Sequence, residues 1–326
     1  MQNGLVLGKF MPLHNGHLAL IDFALKQCEK LYILVCANDS IEPIPGLLRL
    51  QWVQQTFGQH PNIEICYTAE KIPYTSYSSR HISKLWATFI KSKFPDLSVF
   101  ISSEKYGNYV AEYLGIRHQI FDEARMIIPV SATQIREKPL TYWNFIPQAV
   151  KPFFVKKICI CGTESTGKSI LTEKLATSFN TCFVPEMARE IPKKSEDFTV
   201  EDLYEVARLQ AQEINRKVEA AHKIIFCDTG LDATKVYGSY FFGATPQFEY
   251  WIEEANQFDL YLLLSGDVPY VQDGTRLPEN KRNEMHHLHY QHLKSKDIHL
   301  EIITGDWEQR FNQAKDLVMK NIINRF

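Results

Sequence analysis

Gly162-Thr163-Glu164-Ser165-Thr166-Gly167-Lys168-Ser169 spells a complete G-x-x-x-x-G-K-S phosphate loop in the middle of a 326-residue chain. The run before it, Lys157-Ile158-Cys159-Ile160-Cys161, reads as a strand, and the run after it, from Ser169 to Ala176, reads as a helix. The motif's mechanism requires that context. Glycines let backbone N–H groups turn inward around phosphate oxygens. A helix N-terminus adds positive potential at the same point. Lys168 is then expected to reach the β- and γ-phosphates of ATP, and the Ser169 hydroxyl to ligate magnesium.

The remaining parts of a kinase are expected downstream. Ile224-Ile225-Phe226-Cys227-Asp228-Thr229 reads as a buried strand ending in a carboxylate. Functional groups gather at the carboxyl ends of parallel strands, so Asp228 is a candidate to hold Mg2+ or to polarise an acceptor hydroxyl; a helix cap is the plainer alternative. The run Thr181 to Val184 leads into Pro185-Glu186-Met187-Ala188-Arg189-Glu190. Glu186 is a candidate general base and Arg189 a clamp on substrate or phosphate, against the alternative of a surface ion pair. The stretch Asp273-Gly274-Thr275-Arg276-Leu277-Pro278-Glu279-Asn280-Lys281-Arg282 reads as a lid. Arg276 and Arg282 are expected to close over the transferring phosphoryl group and keep water out.

A second nucleotide signature lies near the start. Gly4-Leu5-Val6-Leu7-Gly8 reads as a strand, followed by Lys9-Phe10-Met11-Pro12-Leu13-His14-Asn15-Gly16-His17 and an apolar helix. H-x-G-H places two imidazoles beside a helix N-terminus, where both can donate to ATP phosphates as pyrophosphate leaves. Gly16 permits close approach of backbone to phosphate. Val130-Ser131-Ala132-Thr133-Gln134-Ile135-Arg136 supplies a capped helix start at the far end of the same half, so Ser131, Thr133 and Arg136 are expected to hold phosphates as well.

Strand-like and helical runs alternate throughout, the pattern of parallel sheets with crossover helices. One sheet is expected from runs near Leu5, Ile33, Ile65, Phe100 and Ile120, the other from runs near Ile160, Phe183, Ile225, Leu262 and Ile302. The fold class is therefore α/β, with two domains divided at 1–150 and 151–326. Between them Tyr142, Trp143, Phe145, Ile146, Phe153 and Phe154 call for burial, so this is no floppy linker. Hydrophobic content of 45% and charged content of 23% are those of a globular protein. No apolar run reaches the roughly 18 residues of a membrane span, and no signal pattern opens the chain, so a cytoplasmic protein without a membrane partner is expected. Seven cysteines without framework spacing fit reduced thiols. His286, His287, His289 and His292 read as an exposed polar helix rather than a metal site.

With these residues in hand, the paired H-x-G-H and S-x-T-x-I-R motifs resemble the nucleotidylyltransferase superfamily. Gly8 to His14, Ser103-Glu104-Lys105-Tyr106-Gly107 and Val130 to Thr133 are similar to segments of nicotinamide mononucleotide adenylyltransferases. The order of that domain, then a phosphate-loop domain with a Pro-Glu-x-Ala-Arg segment, resembles bifunctional NadR-type proteins over nearly the whole chain. The resemblance implies a Rossmann-like nucleotidylyltransferase domain and a P-loop kinase domain working in pyridine nucleotide salvage. ATP, nicotinamide riboside, nicotinamide mononucleotide and NAD are the implied ligands, with Mg2+ as cofactor. It implies ATP contacts from Gly8, Lys9, Phe10, His14, His17, Ser131, Thr133 and Arg136 in the first domain. Trp86 and Tyr106 are candidates to stack on a cationic pyridinium, or else plain packing; Arg49 is either a phosphate contact or a solvated helix residue. Some relatives carry a DNA-binding domain; a start at Gly4 and a net charge of −2 lead to the expectation that this polypeptide does not bind DNA. A homo-oligomer is compatible with the sequence. Two other functions fit part of the pattern: a coenzyme A synthesis fusion, whose first motif usually has Thr where this chain has His14, and a nucleotide-sensing regulator with little turnover.

Overall fold

Runs of β-branched and aliphatic residues form the strands in both halves of the chain. The computed structural model describes residues 2–70, 72, 79–191, 193, 197–274 and 276–325. Contacts divide it into two units, Met1–Lys151 and Pro152–Phe326.

The first unit holds β1 (Asn3–Gly8), β2 (Lys30–Cys36), β3 (Ile63–Thr68), β4 (Leu97–Ser102) and β5 (Arg117–Ile120). They lie in the order β3-β2-β1-β4-β5, and every neighbouring pair is parallel. Around them run α1 (Asn15–Leu25), α2 (Gly46–Phe57), α3 (Arg80–Lys93), α4 (Tyr106–Leu114) and α5 (Ala132–Glu137). Leu5, Val6, Ile33, Val35, Phe100 and Ile101 are buried, the continuous apolar filling of strands covered on both faces. The chain runs outward from β1 to β3 and then returns to β4 on the other side. At such a reversal the loops leaving the two central strands part to opposite faces and open a crevice. Gly8 and Ser102 end the strands that flank it.

The second unit repeats the plan with β6 (Lys156–Gly162), β7 (Phe183–Val184), β8 (Ile224–Asp228), β9 (Leu260–Leu264) and β10 (Leu300–Ile303). Their order is β10-β9-β6-β8-β7, again parallel throughout. The short α6 (Lys151–Phe154) precedes β6; α7 (Lys168–Ser178), α8 (Val200–Val218), α9 (Leu231–Phe242), α10 (Tyr250–Ala255), α11 (Arg282–Lys294) and α12 (Trp307–Val318) follow. β8 and β9 are buried along their whole length. Here the reversal falls between β6 and β9, which aims the phosphate loop at the crevice. Both sheets use the strands expected from the sequence.

Two expectations need correction. Phe153 remains 46% exposed, although Trp143, Ile146 and Phe154 are buried as expected. The histidine run on α11 is not simply a solvated face: Met285, His289 and Leu293 form its inward stripe, and His289 is 2% exposed. The i, i+4, i+8 spacing that turns Met285 and Leu293 inward carries His289 with them. Among the described residues no cluster of His, Cys, Asp and Glu is arranged to hold a metal, and no helix is long and apolar enough to cross a membrane. The seven cysteines are unpaired.

Candidate functional sites

In the first unit the loop after β1 folds back on its own helix start. His14 caps α1, and its Nδ1 accepts from the Gly16 N–H at 3.1 Å. The His17 Nδ1 accepts from the His14 N–H at 3.3 Å. The two rings lie 3.8 Å apart. Because each Nδ1 is an acceptor, the neutral rings carry their protons on Nε2 and offer two N–H donors. Burial, followed by the charge of Arg125, lowers His14 to about 4. Burial, then His14 and Arg125, holds His17 well below its ordinary value. Gly16 has a steric reason beyond the one expected: a Cβ there would lie 2.8 Å from the His14 ring.

Arg136 ties this loop to the second motif. One guanidinium nitrogen donates to the Met11 carbonyl and the other to the Thr133 hydroxyl at 3.0 Å. Ser131 is committed to the helix cap: its hydroxyl accepts from the Gln134 N–H at 3.2 Å, and Gln134 Oε1 accepts from the Ser131 N–H at 2.8 Å. Lys9 pairs with Glu42 at 2.8 Å. Burial alone would push the Glu42 carboxyl up, but Lys9, the Asn38 N–H and Arg49 bring it below its ordinary range.

Several sequence readings change here. Arg49 is neither solvated nor open to a phosphate: it is fully buried and donates to Glu42 at 2.6 Å and to the Lys9 carbonyl at 2.8 Å. Phe10 turns its ring inward, 1% exposed, against Gly8 and the edge of His17. Its φ of 48° lets the backbone turn while the side chain stays in the core. Trp86 is 7% exposed and packs with Leu5, Leu34 and Phe100. Tyr106 is half-buried, its hydroxyl donating to the Leu7 carbonyl at 3.3 Å, next to the crevice. Arg125 went unread because nothing marks a lone arginine in a loop. Asp122 arranges that loop by accepting N–H bonds from Met126 and Ile128 at 2.7 and 3.1 Å.

In the second unit the phosphate loop takes the strained turns its glycines allow, with φ of 141° at Gly162 and 85° at Gly167. At Gly167 a Cβ would lie 2.3 Å from the half-exposed Trp307 ring. Lys168 curls over the loop and donates to the Thr163 carbonyl at 3.1 Å. Two buried arginines brace the loop from below. Arg310 donates to the Thr166 carbonyl at 2.9 Å and pairs with Asp267. Arg282 donates to the carbonyls of Ser165 at 3.0 Å and Val268 at 2.7 Å. Arg282 is thus a strut, not the lid finger expected from its place in a charged stretch. As first residue of α11, 7% exposed, it points into the protein.

A cavity of about 640 Å³ opens beside the loop. Lys168, Glu186, Arg189 and Arg276 line it together with Glu164, Tyr237 and Phe241. Glu186 accepts from Arg189 at 3.1 Å, and Arg276 pairs with Asp273 at 2.9 Å. Thr275, beside it, lies outside the described residues. Gln210 on α8 steadies the Glu186 segment by accepting the Met187 N–H at 3.1 Å. Asp228, the last residue of β8, is 2% exposed and lies within the field of Lys168 and Glu186. Burial, then the negative charge of Glu186, raises its carboxyl to about 6 against the pull of Lys168. The two candidate carboxylates are therefore separated by position: Glu186 faces the cavity, and Asp228 backs the loop.

Residues 5–138 match the cytidylyltransferase-like family, and residues 157–310 match the AAA domain family. The trifunctional NAD biosynthesis/regulator protein NadR of Escherichia coli (strain K12) is 33% identical, over 97% of this chain and 82% of its own length. Its counterpart from Salmonella typhimurium is 32% identical with the same coverage. Crystal structures of a NadR protein, with NAD and AMP-PNP and with NR, share the fold at a TM-score of 0.81 and 23% identity, covering 98% of this chain and 96% of theirs.

Proposed function

The chain belongs to the NadR family of NAD biosynthesis proteins, and from that premise we propose that its two units carry out consecutive steps of NAD salvage. The second unit phosphorylates nicotinamide riboside with ATP to nicotinamide mononucleotide. The first adenylylates that product with a second ATP, releasing NAD and pyrophosphate. The coenzyme A alternative falls with the family membership.

In the kinase unit the riboside occupies the cavity with its 5′-hydroxyl toward Lys168. Glu186, on the cavity wall, orients that hydroxyl and accepts its proton. Arg189 and Arg276 balance charge on the transferring phosphoryl group. The Ser169 hydroxyl, next to Lys168 at the start of α7, and the buried Asp228 carboxylate at the end of β8 are hard oxygen donors, a set that fits Mg2+. The ion would supply charge neutralisation between the phosphates. In the adenylyltransferase unit the phosphate of the mononucleotide attacks the α-phosphate of ATP. His14 and His17 donate from Nε2 to oxygens that gain charge as pyrophosphate departs, with Lys9 and Arg136 adding positive potential. Neither transfer needs a protein nucleophile; alignment and charge suffice.

The observation that carries this reading is the presence, in one chain, of two phosphate cradles of unlike construction. One is made of paired neutral imidazoles at a capped helix start, the other of a glycine loop with a buried lysine beside an acceptor cavity. Lys168→Ala is expected to abolish ADP release from ATP and nicotinamide riboside while leaving pyrophosphate release from ATP and nicotinamide mononucleotide. His17→Ala is expected to do the reverse. Loss of both activities from either change would refute separate sites.

A further inference from the structure

The kinase cavity has a wall that phosphate chemistry does not account for. Tyr237 and Phe241, one turn apart on α9, hold their rings nearly parallel, with centroids 6.0 Å apart and planes at 27°. Both line the cavity. Glu164, one of the unspecified positions of the phosphate-loop motif, lines it too, and its negative charge bears on the Tyr237 phenol. Burial, then the charges of Glu164 and Glu186, keeps that phenol protonated far above its ordinary range, so it remains a donor. Nearly buried Val206 and Ala233 complete an apolar lining.

A carboxylate is a poor neighbour for a nucleotide's terminal phosphates, since like charges repel. It becomes favourable when a cation occupies the acceptor side. An aromatic face beside a carboxylate, screened from water by apolar walls, is the arrangement that attracts a flat organic cation. We infer that Glu164, Tyr237 and Phe241 form the subsite that reads the positive charge of the acceptor's pyridinium ring, and that they select cationic nucleosides over neutral ones of the same shape. The inference rests on the acceptor proposed above and assigns three residues to its recognition.

The test compares steady-state phosphorylation, by the full chain, of nicotinamide riboside and of its uncharged 1,4-dihydro form. The unaltered protein is expected to favour the cation about tenfold in kcat/KM. Glu164→Gln is expected to raise KM for nicotinamide riboside by a similar factor relative to the dihydro form, both measured at saturating ATP, and so erase the preference. Tyr237→Leu removes the ring face and is expected to erase it as well, whereas Tyr237→Phe retains part of it. AMP-PNP affinity checks that each variant's loop is folded; should Glu164→Gln fail that check, Tyr237→Leu decides. Equal use of both ribosides by the unaltered protein, or a Glu164→Gln effect confined to KM for ATP, overturns the inference. Phosphorylation of neither riboside would refute the acceptor reading itself.

Discussion

Asp228 illustrates how a single side chain can trade stability for readiness to react. Its carboxyl gives up a proton near pH 6 in the folded chain and near 3.8 unfolded. Between those values the folded state holds the extra proton. The stabilisation is therefore complete below pH 3.8 and is lost as pH rises through 6. At neutral pH the buried anion is a burden on the fold. We predict that Asp228→Asn raises stability by about 1–3 kcal/mol at pH 7.5 in thermal or urea unfolding. The gain should vanish toward pH 4, while riboside phosphorylation falls sharply. A variant less stable at pH 7.5 would contradict this account. The charged residues also mark where sequence reading stops. Arg49, Arg282 and Arg310 carry no signature because their partners are backbone carbonyls and carboxylates brought near only by folding. Periodicity shows that a long side chain has a polar end; it does not show what that end reaches.

At the scale of elements, both cradles depend on a glycine that makes room for an aromatic ring. Gly16 clears the His14 imidazole and Gly167 clears Trp307. Gly167 also holds a φ of 85°, where a side chain is strained. We predict that Gly16→Ala lowers adenylyl transfer about 100-fold and leaves riboside phosphorylation intact, and that Gly167→Ala does the opposite. Assays of both half-reactions on each variant check this; equal losses in both would exclude local displacement as the cause. The elements themselves were legible. Strand runs such as Ile158 to Cys161 and Leu260 to Leu264 are short, apolar and rich in strand formers, and Ser131 with Gln134 is a capping pair readable in one line of sequence. The aromatic wall of the kinase cavity was not. Tyr237 and Phe241 are four residues apart on a helix and look like any packing pair until α9 is set against the phosphate loop.

For the whole molecule, the proposed reactions share a soluble intermediate, so the two activities need not reside on the same copy of the chain. We predict that mixing Lys168→Ala and His17→Ala proteins restores conversion of nicotinamide riboside and ATP to NAD, with a lag while nicotinamide mononucleotide accumulates. Liquid chromatography of the reaction would follow both species. Absence of NAD, with each variant still performing its own half-reaction, would mean the intermediate is not released to solution.

The indole seated on Gly167 gives the protein an optical gauge. Trp307 is half exposed and touches the turn from which the phosphate loop enters its helix, so emission from that one ring is coupled to whatever shifts the turn. Titration with AMP-PNP is expected to change the fluorescence of the intact chain, and Trp307→Phe to remove most of the change. Occupancy of one nucleotide site among two could then be read by eye of a spectrometer, with no label attached.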